Sequence, residues 1–498
     1  MNAVLCALTY RVASPVFRFL HATGLCSGPL ALRGLESWRW RVGQFGAWIR
    51  LQSTARRVPA YRDFLARAMT ADPRAQFSLA LVPATDKENY VKQFPLEARC
   101  IDGVLPVHGV VIDESSGSSG VATNWVRGRR ERSANGRSII WGLRQRLGNG
   151  PHVFVNAFAL GPWATGINLT LALSSWGRIK TTGPDITKIA NTLRHFGTAH
   201  HYVIMGYPPF LKQLIDRANV DWAAFNVSML FGGEGMSESM RRYLQDKGIA
   251  RVYGSYGASD LELNMAAETE LTIALRRLLE SRPSLTAKVL QHAGAMPMIF
   301  QFNPADFFIE TNASGEIMAT VCRPGYVSPK VRYNIHDLGH VLRYPELKRI
   351  LATDGISLDD VTADPLDLPL LFHYGRSDQS VAYYGCKIPP ADIQESLFRL
   401  PELATAVDAF QLHTFDDADG DKRLSVRLEV AHGTLAEGAA HWATRLFDTL
   451  AAVNQDFRES RRMVPNGKAP SVEFVDAGSG VFADADIRIK RTYVAKDG

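Results

Sequence analysis

The chain has 498 residues, 46% of them hydrophobic and 21% charged. That is enough apolar material for several domains with a sizeable core, and it excludes a disordered chain. The net charge of +6 is modest for this length, and no run of five Lys or Arg marks a nucleic-acid-binding arm.

Five cysteines, Cys6, Cys26, Cys100, Cys322 and Cys386, lie scattered without a C-x-x-C pair. They argue against a disulfide framework or a cysteine zinc site and for a reducing cytoplasm. The first 34 residues carry Arg11, Arg18 and Arg33 and no acid. No uncharged apolar stretch there is long enough to span a bilayer, and no clean signal peptide is present. A peripheral helix lying on a membrane or on the protein's own body remains, with the second expected.

Residues 36–70 place Trp, Arg, Leu and Ala at helical spacing, which predicts one or two amphipathic helices. The apolar run Val107–Ile112 then reads as a buried strand. It leads into Asp113–Thr123, a loop with five hydroxylated residues and two glycines. Glycines let successive N–H groups point inward and hydroxyls add donors, so a phosphate chain is a suitable guest, with a flexible surface loop as the alternative. The loop is not a Walker A motif, because no Lys follows Gly120. Just beyond it, Arg127, Arg129, Arg130 and Arg132 are either a solvated face or a positive field that draws in an anionic nucleotide.

From 105 to 330, short apolar runs (His152–Phe158, Tyr202–Met205, Ser228–Phe231, Ala250–Tyr253) alternate with helical patterns (Ile186–Phe196, Pro209–Arg217, Ser237–Asp246). This is the pattern of α/β layers, with Ser237 as a helix N-cap. Residues 265–290 read as a longer helical insertion, and Glu316–Val321 and Val331–Tyr333 return to strand character. A boundary near 373–380 precedes a fresh set of elements: a helix at Ile393–Leu400, strands at Thr405–His413 and Arg423–Val430, and a mostly helical Leu435–Phe457.

Four further clusters could carry chemistry. Phe231-Gly232-Gly233-Glu234-Gly235 ends a strand, where paired glycines admit a flat ligand or merely make a turn. Tyr253–Asp260 offers an aromatic face, a hydroxyl and a carboxylate, suited to a base, a phosphate and Mg²⁺. In Asn334–His340, His336 and His340 are four apart, but Gly339 and the missing Glu of H-E-x-x-H argue against zinc; Asp337 as acceptor for a sugar diol is the better reading. Gly375-Arg376-Ser377-Asp378 lies at the presumed domain joint. Gly478-Ser479-Gly480-Val481-Phe482-Ala483 matches G-x-G-x-x-A, but the alternation after it reads as a strand, so a Rossmann site is rejected. No G-x-S-x-G elbow supports a serine hydrolase.

In this order and spacing, the clusters resemble the adenylate-forming (acyl-CoA ligase) superfamily, and most of all its phenylacetate–CoA ligase-like branch, over roughly 55–495. The resemblance implies an α/β fold: a large multi-layer N-terminal body with a smaller mobile C-terminal α+β domain. The expected division is 1–54 as a helical extension, 55–376 as the body and 377–498 as the lid. Ser116, Gly117, Ser118, Ser119, Gly120 and Thr123 would bind the ATP phosphates. Gly233 and Glu234 would line the adenine, with Tyr256, Gly257 and Ser259 of a "YG-x-T-E"-like motif against it. Asp337 would hold the ribose with Arg376 nearby, and Asp260 would help place Mg²⁺. Asp378 would be the hinge. Lys490 would stabilise charge as acyl-AMP forms, with Lys496 or a merely solvated Lys490 as alternatives. The chain departs from the family at Val121, where the loop has its usual Lys, at Asp260, where the family has Glu, and at Ser259, where it has Thr.

The implied reaction is ATP-dependent activation of a carboxylic acid with release of pyrophosphate, then acyl transfer to CoA. Trp163, Met205, Gly206 and Tyr207 could line the acid pocket. Trp163 and Tyr207 suggest a flat or aromatic acid, with plain core packing the alternative. Two other readings stand beside this one: an adenylating enzyme whose acceptor is an amine, a carrier-protein thiol or another small nucleophile, and a nucleotide-binding scaffold without catalysis. Neither a nucleic acid nor a transmembrane segment is implied.

Overall fold

The computed structural model describes residues 2–26, 34–69, 72–115, 123–291, 296–376, 380–383, 386–416, 422–431, 434–461, 469–483 and 493–495. Its centre is an 11-stranded mixed sheet. Five neighbouring strands, Arg178–Thr181, His152–Asn156, His201–Gly206, Asn226–Gly232 and Arg251–Tyr256, run parallel. In all but the exposed edge strand Arg178–Thr181 the apolar residues are almost continuous, as in strands covered on both faces; Val155, Val203, Ile204, Val227 and Met229 are fully buried. The sheet then turns antiparallel through Ala266–Ala267, Met298–Phe302, Leu370–Arg376, Tyr333–Leu342, Glu316–Val321 and Phe307–Thr311.

The helical patterns read from the sequence are found at Ile186–Phe196, Pro208–Arg217 and Glu238–Asp246. Ser237 is an N-cap, its Oγ accepting from the Met240 N–H at 3.1 Å. The 265–290 insertion is broken by Pro283 into Glu270–Ser281 and Pro283–Val289, after a two-residue strand.

One expectation changes. The run 107–112 is not a buried strand of the central sheet. Val110–Ser115 pairs with Thr123–Gly128 in a separate two-stranded hairpin, and Val107 and Ile112 are exposed. Residues 333–342 form a bulged strand, and His340 bonds the Val289 carbonyl while His336 faces Glu316. Among the described residues no cluster of His, Cys, Asp or Glu could hold a metal ion.

At the N-terminus, helices Asn2–Ala22, Glu36–Arg57 and Pro59–Ala68 pack on the body. The helix Glu36–Arg57 runs across the boundary expected at 54/55, and its Ala47, Trp48, Leu51 and Ala55 belong to the main core. No described helix is long and apolar enough to cross a membrane.

Beyond residue 380 the chain builds a core of its own. The strands Val407–Asp416, Lys422–Val430 and Ser471–Asp476 form a three-stranded sheet. Helices Pro390–Phe398 and Ala439–Val453 accompany it, and Trp442, Leu446 and Phe457 pack with Leu412, Val426 and Leu428. This unit docks through Glu395. Its carboxylate accepts from the Ser239 hydroxyl at 2.7 Å and the Ser239 N–H at 3.2 Å, at the N-terminus of helix Glu238–Asp246, where an anion suits the helix dipole.

Candidate active site

The C-terminal ends of the parallel strands gather the predicted segments on one edge, the place where open α/β sheets bind ligands. Strand 201–206 delivers Tyr207, strand 226–232 delivers Gly233 and Glu234, and strand 251–256 delivers Tyr256–Asp260.

Tyr256 is the focus. Its ring stacks on Phe300 (centroids 5.7 Å) and lies 4.7 Å from the His373 ring. Its hydroxyl donates to Asp337 Oδ2 at 2.8 Å, and His373 Nε2 lies 3.1 Å from the same oxygen. Burial, then the Asp337 charge, pushes the Tyr256 phenol well above its usual range, so it stays a donor at neutral pH. The strand register sets Asp337 directly opposite Arg376. Thus Tyr256, Asp337 and Arg376, distant in sequence, meet. His373 was not singled out from the sequence; the only signal was a lone His in an apolar strand, and which residue it faces depends on register.

Gly257 has a steric reason. A Cβ there would lie 2.2 Å from the Leu263 carbonyl oxygen. The turn folds back so that Ala258 N–H reaches the Glu262 carbonyl at 3.0 Å. Asp260 is half-buried and accepts from the Tyr333 hydroxyl at 2.8 Å. A Mg²⁺ ion held mainly by nucleotide phosphates needs only one or two carboxylates; Asp260 fits that part, where the ion would neutralise phosphate charge.

Arg127 is neither a solvated residue nor a field charge. It is 4% exposed and pins the loop hairpin to this turn. It donates to Asp113 at 2.8 Å, to the Ser259 carbonyl at 2.6 Å and to the Leu261 carbonyl at 3.2 Å. Asp113 also accepts from Asn168, and burial pushes its carboxyl up despite the arginine. Arg129 and Arg130 are exposed as expected of a solvated face. Thr123 opens the second hairpin strand opposite Ser115. Ser116, Gly117, Ser118, Ser119 and Gly120 lie outside the described residues, as do Asp378 and Lys490.

Gly233 adopts a positive φ of 81° at the turn. Glu234 accepts from the Tyr493 hydroxyl at 2.7 Å, which ties the C-terminal unit to the body. Tyr207 stands edge-on to Phe158 at 5.0 Å, and burial, then the Glu234 charge, pushes its phenol up to about 12. Met205 is fully buried with Phe154 and Phe158, so it packs behind this wall. Gly206 is buried beside Phe210 and Leu211. Trp163 is half-buried against Glu114 of the hairpin, whose N–H bonds the Pro162 carbonyl at 2.8 Å.

The architecture, a multi-strand α/β body with a C-terminal domain, is the fold of the adenylate-forming ligases. No family model and no curated protein matches the chain in sequence. Among solved structures it is similar to 2-hydroxyisobutyryl-CoA ligase in the postadenylation state with 2-HIB-AMP, at 16% identity and TM-score 0.66, over 92% of this chain and 89% of that one. Against the same ligase with 2-HIB-AMP and CoA in the thioesterification state, the identity is again 16%, the TM-score 0.52 and the coverage 93% and 91%.

Proposed function

We propose that the protein activates a carboxylic acid with ATP, forming an acyl-adenylate and pyrophosphate, and then passes the acyl group to CoA. The observation that carries this is the convergence of Tyr256, His373 and Asp337 at the sheet edge of this fold. A planar face beside a carboxylate acceptor suits a purine next to a ribose diol. The acid is already ionised at neutral pH, so the task is to hold two anions and spread the charge that develops.

In this reading the hydroxyls and N–H groups of Ser116–Gly120 and Thr123 hold the phosphates. Gly233, Glu234, Gly257 and Ser259 border the base, Arg376 supports the ribose side, and Asp260 holds Mg²⁺ with the phosphates. The acid carboxylate attacks the α-phosphorus, the bond to the pyrophosphate oxygen breaks, and Lys490 stabilises the charge in flight. Trp163, Gly206 and Tyr207 border the acid, which is flat or aromatic, as in the phenylacetate–CoA ligase-like branch. The 377–498 unit then turns about Asp378 to admit CoA. Its docking through Glu395 and Tyr493, and the higher similarity to a postadenylation structure, support an arrangement that belongs to the first half-reaction. Five free, buried cysteines suit a reducing compartment.

The test is pyrophosphate release from ATP and Mg²⁺ over a panel of aryl, arylacetic and short hydroxy acids, for wild type, Lys490→Ala and Asp337→Ala, with product analysis with and without CoA. Acid-dependent release that collapses in both variants supports the reading. ATP binding with no release for any acid favours a scaffold, and release without a CoA ester favours another acceptor.

A further inference from the structure

The first helix, Asn2–Ala22, has two apolar faces, and the body uses only one. Cys6, Phe17 and His21 are buried. Phe17 enters the space left by Gly46 of the next helix, where a Cβ would lie 2.4 Å from its ring, and its ring stands 4.5 Å from that of His21. Arg56 lies 4.8 Å over the Tyr10 ring. The inner face is therefore fastened along the helix, which holds the outer face in one orientation.

That outer face carries Val4, Leu5, Leu8, Val12, Val16 and Phe19, each between 53% and 72% exposed. At about 100° per residue they fall in one sector of about 120°, opposite Phe17 and Cys6. Monomeric proteins rarely leave such a contiguous apolar stripe open to water. Arg11 and Arg18, both exposed, flank one side of it. No Asp or Glu occurs before Glu36, whose own carboxylate is taken by Arg343 at 2.6 Å. Asp72, beside the 73–75 turn that packs on this helix, is paired with Arg74 at 3.0 Å.

We infer that this helix seats the protein on a lipid bilayer that carries anionic headgroups. The stripe would lie among the upper acyl chains, with Arg11 and Arg18 at headgroup level, the layout of an interfacial amphipathic helix. The charge pattern selects this occupant over a second copy of the chain. A two-fold pairing of the stripe would bring the arginines of two helices together with no acid on either helix to compensate them. A bilayer supplies the missing anions. The helix does not need to cross the membrane, and it is not apolar enough along its 21 residues to do so.

The experiment is co-sedimentation of the full chain with vesicles of phosphatidylcholine alone and of phosphatidylcholine mixed with phosphatidylglycerol. Binding to the mixed vesicles is expected. The Val12→Asp/Val16→Asp double variant should lose it with unchanged circular dichroism and Tm, since both positions face solvent. The Arg11→Gln/Arg18→Gln variant keeps the stripe and should weaken binding to mixed vesicles by about thirtyfold, from about fivefold per charge. Failure of the wild type to sediment with mixed vesicles would overturn the inference, as would full binding by the Val12/Val16 variant. A lipid-free dimer that dissolves on Val12→Asp would reassign the stripe to a second copy.

Discussion

The Tyr256 hydroxyl donates to Asp337, 81 positions further along the chain, at 2.8 Å. The two belong to different strands of one sheet, separated by Met298–Phe302 and Leu370–Arg376 and the short strand 266–267. Phe300 and His373, from the first two of those, fill the gap between them. On the proposed reading, Asp337→Asn removes a charged acceptor and should weaken ATP binding by about 10- to 100-fold. Tyr256→Phe keeps the ring and should cost only about fivefold. Equilibrium nucleotide titration measures both; equal losses would show that the hydroxyl, rather than the charge, sets the site.

Arg127 offers a test of the hairpin's attachment. Arg127→Met leaves Asp113 and Glu262 buried and without their shared cation, a loss of about 3–5 kcal/mol by analogy with other broken buried pairs. Urea denaturation should show it. Removing one of the two stranded charges with Asp113→Asn in the same chain should recover part of the loss, and the recovery separates the Asp113 charge from the lost contacts to Glu262 and the carbonyls.

Gly257→Ala should be far more damaging than its one added methyl suggests. The new Cβ would meet the Leu263 carbonyl at 2.2 Å, so the turn that carries Ser259 and Asp260 must open. A loss of about 1–3 kcal/mol is expected, together with a fall in acid-dependent pyrophosphate release. Gly438→Ala, where nothing lies within 4 Å, is the matched control.

His21 predicts an acid dependence. Burial first, with Arg323 and Arg50 adding to it against the opposing Asp306, holds its imidazole down at about 4. Unfolded, it takes a proton near 6.5. The unfolded state therefore binds more protons between those values, and this contribution to stability is complete above pH 6.5 and lost as pH falls towards 4. His21→Leu keeps the packing on Phe17 and removes the titration. Its stability should fall by about 3 kcal/mol less than wild type between pH 7 and pH 4, read from urea midpoints at each pH. An unchanged slope would show that other groups govern acid unfolding.

The seam between body and C-terminal unit predicts a conformational effect. Glu395→Gln removes the anion from the N-terminus of helix Glu238–Asp246 and weakens its bonds to Ser239. Small-angle scattering should register a larger radius of gyration or a broader distribution. The same profile as wild type would show that the remaining contacts, Tyr493 with Glu234, Gln394 with Ser237 and Arg217 with Asp408, suffice.

Much of the molecule was legible along the chain. The helical pattern at 186–196 has those same ends in the structure, where the Asp185 side chain accepts from the Lys188 N–H and Gly197 closes the last turn. Four of the five parallel strands were readable as apolar runs, since a strand covered on both faces has no polar side to interrupt it; the exposed edge strand Arg178–Thr181 was not. The α/β body with a C-terminal unit followed from their alternation.

What the chain order concealed depends on register and on which surfaces meet. Arg127 sits in a cluster of four arginines, yet it is the one that is fully buried, because Thr123–Gly128 pairs with Val110–Ser115 and faces the Ser259–Glu262 turn. His373 acquires its partner only when strand 370–376 lies beside 333–342. For the first helix, only packing decides which apolar side the body covers and which is left for another surface. Local sequence determines backbone propensity within a few residues; a side chain's partner is set by long-range pairing, which the tertiary structure alone decides.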